Sequence, residues 1–432
     1  MVLFFSVTLF LGVTMLLTTE NAWCERIFFA GYNGGFYIKS EEAGGMALRF
    51  GGAFQTDYRY YAENERSDNG FDIRRARIIF RGRLTRWFRF GMQYEFEGNE
   101  PRNLVDAYGD FVFRGSHGLK FGQFKEPFSL EWQTRDKGLF FAERSMGYAL
   151  TPGRDLGLML HGTFFDDAVI YGIGIFNGDG IDGTSREGEH DEPEITGRLV
   201  FRPFKNIGMA WAGAFQLGCS GSYAKIDLSN VALNVKTTGM AGSGRNIYIL
   251  SHDTKFGVLQ NAGDRMRGGI EVAWINGPLF IQGEYIKLKY GELKPAGAAA
   301  RDAVFSSYYV SATYCLTGET PVFVKGRVSP IYPNRFFNPS EGTFGAFCLS
   351  ARLEHFSGDE NWITPDAHVS VRKADAVSVA LNWVLFPMCR IIADYTYTDL
   401  SDRIRVNVDP EDGEVDYIDR ENVVTLRFSF DF

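Results

Sequence analysis

From about residue 46 to the C-terminus, apolar and polar side chains alternate with a period of two. In the first such segment Met46, Leu48, Phe50, Phe54, Tyr58 and Tyr60 share one face, and Arg49, Gln55, Asp57 and Arg59 share the other. A strand of this kind has an apolar medium on one side and water on the other. A soluble sandwich alternates too, so strand length decides. Soluble strands run about five or six residues, whereas a tilted strand crossing a bilayer needs about ten. The alternating runs here cover 46–60, 71–84, 86–98, 104–114, 118–125, 155–165, 168–177, 193–203, 207–219, 265–276, 278–290, 305–317, 343–356, 376–386, 388–398 and 420–432. They predict about sixteen strands, with boundaries good to a few residues.

The connections alternate as well. Short turns fall at 84–87, 115–117, 166–167, 203–207, 276–278 and 386–388, and long polar loops at 126–154, 178–192, 220–264, 357–375 and 399–419. Short turns on one side and long loops on the other are the layout of a transmembrane antiparallel β-barrel. A strand-like stretch at 321–330 would spoil the parity, so 318–342 is read as one long connection on the periplasmic side. The chain ends Val424, Leu426, Phe428, Phe430, Phe432, with Thr425, Arg427, Ser429 and Asp431 between. A terminal Phe closing such a strand resembles the signal that outer-membrane assembly machinery recognises.

Composition agrees with a large all-β protein. The 432 residues include 39 Phe, 20 Tyr and 49 Gly but only 14 Pro. Aromatic side chains suit strands, and glycine suits turns and crowded strand surfaces. The mean hydropathy of −0.15 is too polar for a helical membrane protein but suits a barrel, in which every second residue faces lipid. Residues 2–17 are the one long apolar run and predict a secretory signal peptide over 1–24, followed by a single barrel over 25–432. The five cysteines show no metal-ligand spacing, although Cys315 and Cys348 can face the same side of neighbouring strands, which permits a disulfide. A net charge of −8 argues against nucleic acid as a partner.

Several segments in order are similar to the phosphate-selective porin O and P family: FDIRRAR at 71–77, VDAYGDF at 105–111, GQFKEPFSLE at 122–131, FAERSM at 141–146, PGRDLGLML at 152–160, GIGIFNGDG at 172–180, LTGE at 316–319, GAFCLSARL at 345–353 and LNWVLFPMCRIIADY at 381–395. The resemblance implies a homotrimer of sixteen-stranded barrels in the bacterial outer membrane, each with an inward-folded loop that narrows the pore. Loop 126–154 corresponds to that constriction. By the same resemblance Arg74, Arg75, Asp106, Lys137 and Arg144 belong to an anion-binding constriction, and phosphate or polyphosphate is the expected solute.

The residues themselves carry a related pattern. Arg75, Arg77, Arg81 and Arg83 alternate with apolar or small neighbours on the second strand. Charge on the lipid face costs about 2–4 kcal/mol near the midplane, so these arginines are expected in the lumen. Their planar forks match phosphate oxygens. Lys125 and Arg135 are further basic candidates near the constriction, and Arg265/Arg267 and Lys325/Arg327 are candidates for a longer cationic path. Alternation puts Arg74 and Arg75 on opposite faces unless a bulge intervenes. Glu126, Glu131, Asp136 and Glu143 make the inward loop almost as acidic as basic, and acidic segments 187–194 and 409–419 are expected outside. That mixture leaves open a general or differently selective porin, for sugars, carboxylates or cations, and the long 220–264 loop leaves open a surface-adhesive role. The six histidines lie outside any HExxH or GxSxG context, and no catalytic residue, cofactor or metal is expected.

Overall fold

The computed structural model describes residues 28–32, 35–40, 45–62, 69–97, 103–113, 116–181, 192–207, 214–237, 246–250, 252–363, 370–408 and 415–432. The expected signal segment 1–24 lies outside these. Sixteen antiparallel strands form a closed barrel: β1 Met46–Tyr61, β2 Gly70–Thr85, β3 Phe88–Glu95, β4 Leu104–Phe113, β5 His117–Lys125, β6 Arg154–Phe164, β7 Val169–Phe176 and β8 Glu194–Phe201 make one half. The other half is β9 Phe215–Lys225, β10 Asp264–Asn276, β11 Leu279–Pro295, β12 Arg301–Cys315, β13 Ala346–Ser357, β14 Lys373–Phe386, β15 Cys389–Val408 and β16 Val415–Asp431. Each strand pairs with its neighbours in sequence, and β16 closes on β1 from Val423↔Tyr61 to Asp431↔Ala53. Closure leaves no free edge within the hydrocarbon region.

Alternation maps onto the two sides as the sequence predicts. Leu48, Phe54 and Tyr60 of β1 and Val424, Phe428 and Phe430 of β16 are exposed on the outer wall, while Gln55, Asp57, Arg59, Thr425, Arg427 and Ser429 are buried on the inner one. At the seam Phe432 exchanges backbone hydrogen bonds with Gly52, N–H to O at 3.0 Å and 2.8 Å. Its ring lies where a Cβ on Gly52 would sit 2.6 Å away, so only glycine fits. Preceding the barrel, Phe29–Tyr32 and Phe36–Ser40 form a hairpin whose second strand pairs with Met46–Phe50 of β1, continuing the wall beyond the end of β16.

Two expectations need correction. The strand placed at 207–219 is β9, which runs six residues further to Lys225. Its stretch Gly218–Cys219–Ser220–Gly221–Ser222 has too little apolar contrast to show a period. Glu194, expected in an outer acidic loop, is the first residue of β8, points inward and pairs with Arg265 and Arg267 at 2.6 Å each. The 318–342 segment adds no barrel strand, as parity required. Its one pairing of named strands is the two-residue one of Phe323–Val324 with Arg327–Val328, and it folds up into the lumen instead of lying below it. Cys315 and Cys348, paired across β12 and β13, form a disulfide at its base.

Part of the lumen is filled. Leu130, Phe140 and Phe141 of the 126–153 loop and Val328 and Ile331 of the periplasmic segment pack on Ala273, Ile275, Phe280, Ala380 and Ile392 of the inner wall. Nearer the long-loop end, the hairpin Leu233–Lys236 with Asn246–Leu250 packs with Met146 and Leu150 on Ile286, Leu288, Phe305 and Phe356. The open passage therefore runs along β1–β6.

Candidate functional site

The inward loop is held by polar side chains from the opposite wall. Its single helical turn, Leu130–Gln133, is capped by Ser129, whose Oγ accepts from Trp132 N at 3.1 Å. The free N–H groups of Leu130 and Glu131 donate to the Glu284 carboxylate of β11 at 2.9 and 2.7 Å, satisfying donors that a helix start leaves unpaired. Further along, Met146 N donates to Glu354 (2.8 Å), Ala142 N to Asp394 (2.9 Å), Asn382 to the Phe140 carbonyl (2.6 Å) and Arg390 to the Leu139 and Asp136 carbonyls (2.6 and 2.7 Å). These bonds tie the loop to β11 and to β13–β15.

On this loop sit two carboxylates that organise the arginines. Glu143 takes Arg74 Nε at 2.8 Å and Arg427 Nη2 at 2.6 Å, and Arg427 also forks onto Asp57 at 2.6 Å through both Nε and Nη2. Asp136 faces Arg75 at 3.1 Å, Arg77 at 2.7 Å and Arg144 at 2.9 Å. Burial alone would raise the Asp136 pKa, but the guanidiniums of Arg75, Arg144 and Arg77 outweigh it and hold the carboxyl well below its ordinary range. Arg74 and Arg75 reach the lumen together because the register slips between Gln55↔Arg75 and Thr56↔Ile73, leaving Arg74 as the extra residue of a bulge.

The expected site residues thus fall into distinct positions. Arg75, Arg77, Asp106, Lys125, Arg135 and Lys137 line one cavity of about 230 Å³ along β1–β6, with Asp136 among them. Arg77 also pairs with Glu95, and Asp106 takes Arg154 at 2.9 Å. Lys125 donates to the Trp132 carbonyl at 2.6 Å and sits 4.3 Å above the Trp132 ring. Arg74 and Arg144 do not line this cavity. Arg74 is committed to Glu143, and Arg144 donates to the Thr134 carbonyl at 2.9 Å besides pairing with Asp136.

The family model for phosphate-selective porin O and P matches residues 48–432. The chain belongs to this porin O and P family. Porin O of Pseudomonas aeruginosa is 26% identical over 399 residues, covering 85% of this chain and 86% of that protein. Among solved structures the barrel is similar to an anion-selective porin from Comamonas acidovorans (TM-score 0.53, 12% identity, 90% of this chain and all of the other). It is also similar to the outer-membrane channel DcaP of Acinetobacter baumannii (TM-score 0.51, 12% identity, 94% and 100%). As a porin O/P member with this closed barrel, the chain is a bacterial outer-membrane channel and not an enzyme.

Of the basic residues lining the cavity of this porin, Arg49 and Lys120 were not singled out from sequence as site candidates. Arg49, Arg81, Arg135, Lys137, Lys120 and Arg327 all line it and make no ion pair among the described residues. Lys120 lies 4.7 Å from the Tyr108 ring. Arg135, on the loop, projects into lumen water, and its enclosure together with the charges of Arg81 and Arg327 lowers its pKa from the ordinary arginine value. Lys120 and Arg327 also line the next chamber toward the short-turn side, with Arg198, Lys325 and His161. Arg81 belongs to the visible arginine stripe. Lys120 carried no signal, because it is isolated on its strand, and Arg327, a candidate for a longer cationic path, rides on a segment whose inward fold no periodicity encodes. Arg265 and Arg267 are occupied by Glu194 instead of standing free.

Proposed function

We propose that this porin conducts small inorganic anions, phosphate or polyphosphate foremost, and holds them transiently on Arg81, Lys120, Arg135 and Arg327. The observation that carries this reading is the division of lumen cations into two sets. Arg75, Arg77 and Arg154 are compensated by Asp136, Glu95 and Asp106, whereas the four named residues line the same cavity and make no ion pair among the described residues. Like charges held together by the fold raise one another's cost, and an anion entering between them removes it. Arginine supplies a planar fork and lysine a movable ammonium, both suited to phosphate oxygens. A hydrated lumen keeps such binding weak enough for release, as conduction requires. Asp136 fixes the guanidiniums of the constriction but also subtracts charge there, so the constriction orders the path and the chamber beneath it supplies the attraction. The continuation to Lys325 in the next chamber favours extended polyanions.

Planar-bilayer recordings in chloride with added phosphate test this. Native channels are expected to show phosphate block, and Arg81→Ala, Lys120→Ala and Arg135→Ala each to weaken it by roughly fivefold, the value of about 1 kcal/mol per screened unit charge. Block unchanged in all three would leave the constriction residues Arg75 and Lys137 as the site, to be tested as Arg75→Ala and Lys137→Ala. Preference for cations in reversal-potential measurements would overturn the anion reading in favour of a differently selective porin. An adhesive role for the long loop is disfavoured, since Val235, Ile247 and Tyr248 are wholly buried in the barrel mouth. We also propose a homotrimer, following the family resemblance, to be checked by native mass spectrometry of the detergent-solubilised protein.

A further inference from the structure

The outer wall over β11–β14 carries a second set of cations, remote from the lumen. Alternation points Tyr285, Tyr308, His355 and Asp375 outward, and the register places them side by side on four successive strands. Tyr308 stacks on His355 with ring centroids 5.2 Å apart, and His355 pairs with Asp375 at 2.7 Å. Below this row, toward the short-turn end, Val310, Leu353 and Val377 are exposed and purely apolar. Two residues above it, toward the long loops, the register aligns Lys287, Ser306, Ser357 and Lys373. Both lysines are exposed, and neither makes an ion pair among the described residues. The neighbouring cation Lys289 differs, being tied to Asp302 at 2.7 Å. On the far side of Lys287 its partner is Gly268, where a Cβ would meet nothing within 4 Å, so the space beside the ammonium is open.

We propose that Lys287, Ser306, Ser357 and Lys373 form a docking site for the phosphorylated headgroup of an outer-leaflet glycolipid. Tyrosines and a histidine mark the level at which the apolar belt ends, and cations directly above that level meet lipid phosphates. Lysine ammoniums and serine hydroxyls supply donors to phosphate oxygens. Three strand spacings separate the two lysines by about 14 Å, which leaves room for a disaccharide with a phosphate at each end. The acyl chains lie along Val310, Leu353 and Val377, and this continuity with the lipid belt selects a lipid over free phosphate. The site is independent of which solute the lumen passes.

Native mass spectrometry of the full chain in detergent, titrated with bisphosphorylated lipid A, tests the proposal. Native protein is expected to retain the lipid, and the double variant Lys287→Ala/Lys373→Ala to lose at least tenfold of that retention, with Lys287→Arg/Lys373→Arg restoring it. Unchanged heat-modifiable migration and single-channel conductance show that each variant is folded. Equal retention by the alanine variant, equal retention of dephosphorylated lipid A by native protein, or displacement by millimolar inorganic phosphate would each overturn it.

Discussion

Asp136 receives more cationic partners than any other carboxylate of the passage, and its removal has a sign that separates two roles. If Asp136 served only to hold the loop, Asp136→Asn would loosen the constriction without a consistent change in selectivity. If it also subtracts charge from the passage, the same substitution frees Arg75 to act on permeating ions and leaves Arg77 with Glu95 alone. We expect the second outcome: an anion-to-cation permeability ratio raised by about fivefold, on the scale of one screened unit charge, read from reversal potentials in a salt gradient. Because the Asp136 pKa is lowered by its guanidiniums, its ion pairing is fully present above the ordinary value of 3.8 and is lost only as pH falls through the lower folded value. The difference between native and variant should therefore persist from neutral pH down to about pH 4. The arginine stripe at 75–83 was legible in the sequence because charge cannot face lipid, and the bulge that brings Arg74 inward was legible only as a condition. Which cations remain unpaired was not legible. Pairing depends on carboxylates such as Glu95 and Asp136, which reach the stripe from another strand and from a loop.

Strands were the most readable elements, since lipid on one side and water on the other impose the period of two wherever both are present. Where one medium is lost the period fades. β15 and β16 extend well past the segments read for them, to Val408 and from Val415, where Leu400, Ile404 and Ile418 pack inward on the apolar cluster of the loops instead of meeting water. The periplasmic segment between β12 and β13 could be assigned by parity but not shaped by it. Its inward fold rests on contacts with the 126–153 loop, such as Val328 packing near Leu130, and on the Cys315–Cys348 disulfide at its base. That crosslink spans 33 residues, and crosslinks of this kind typically contribute about 2–4 kcal/mol. Cys315→Ser/Cys348→Ser is expected to lower the temperature of heat-modifiable unfolding on gels while the barrel still assembles. Arg327 would then be less firmly held, and phosphate block should weaken in the same variant. A variant with native phosphate block would show that the segment is placed by packing alone.

At the scale of the whole molecule, two kinds of filling divide the lumen. The 126–153 loop is strapped by hydrogen bonds to β11–β16 and carries the charges of the passage, whereas the 226–263 loop is held mainly by apolar burial at the long-loop mouth. Removing the second should therefore widen the channel without altering its charge. Replacing residues 228–262 with a short Gly/Ser linker deletes the hairpin that covers Ile286, Leu288, Phe305 and Phe356. Single-channel conductance is expected to rise, because the outer mouth then opens over β10–β15 as well as β1–β6. The reversal potential should stay near the native value, because Arg81, Lys120, Arg135 and Arg327 remain in place below. Stability should fall, since uncovering a large buried apolar side chain costs roughly 1.5–3 kcal/mol, and the unfolding temperature on gels reads that loss. A conductance rise accompanied by lost anion preference would place the selective charges in the outer mouth instead. The experiment thus distinguishes a pore whose loops share one task from a pore in which width is set by apolar packing and selectivity by a separate ring of unpaired cations.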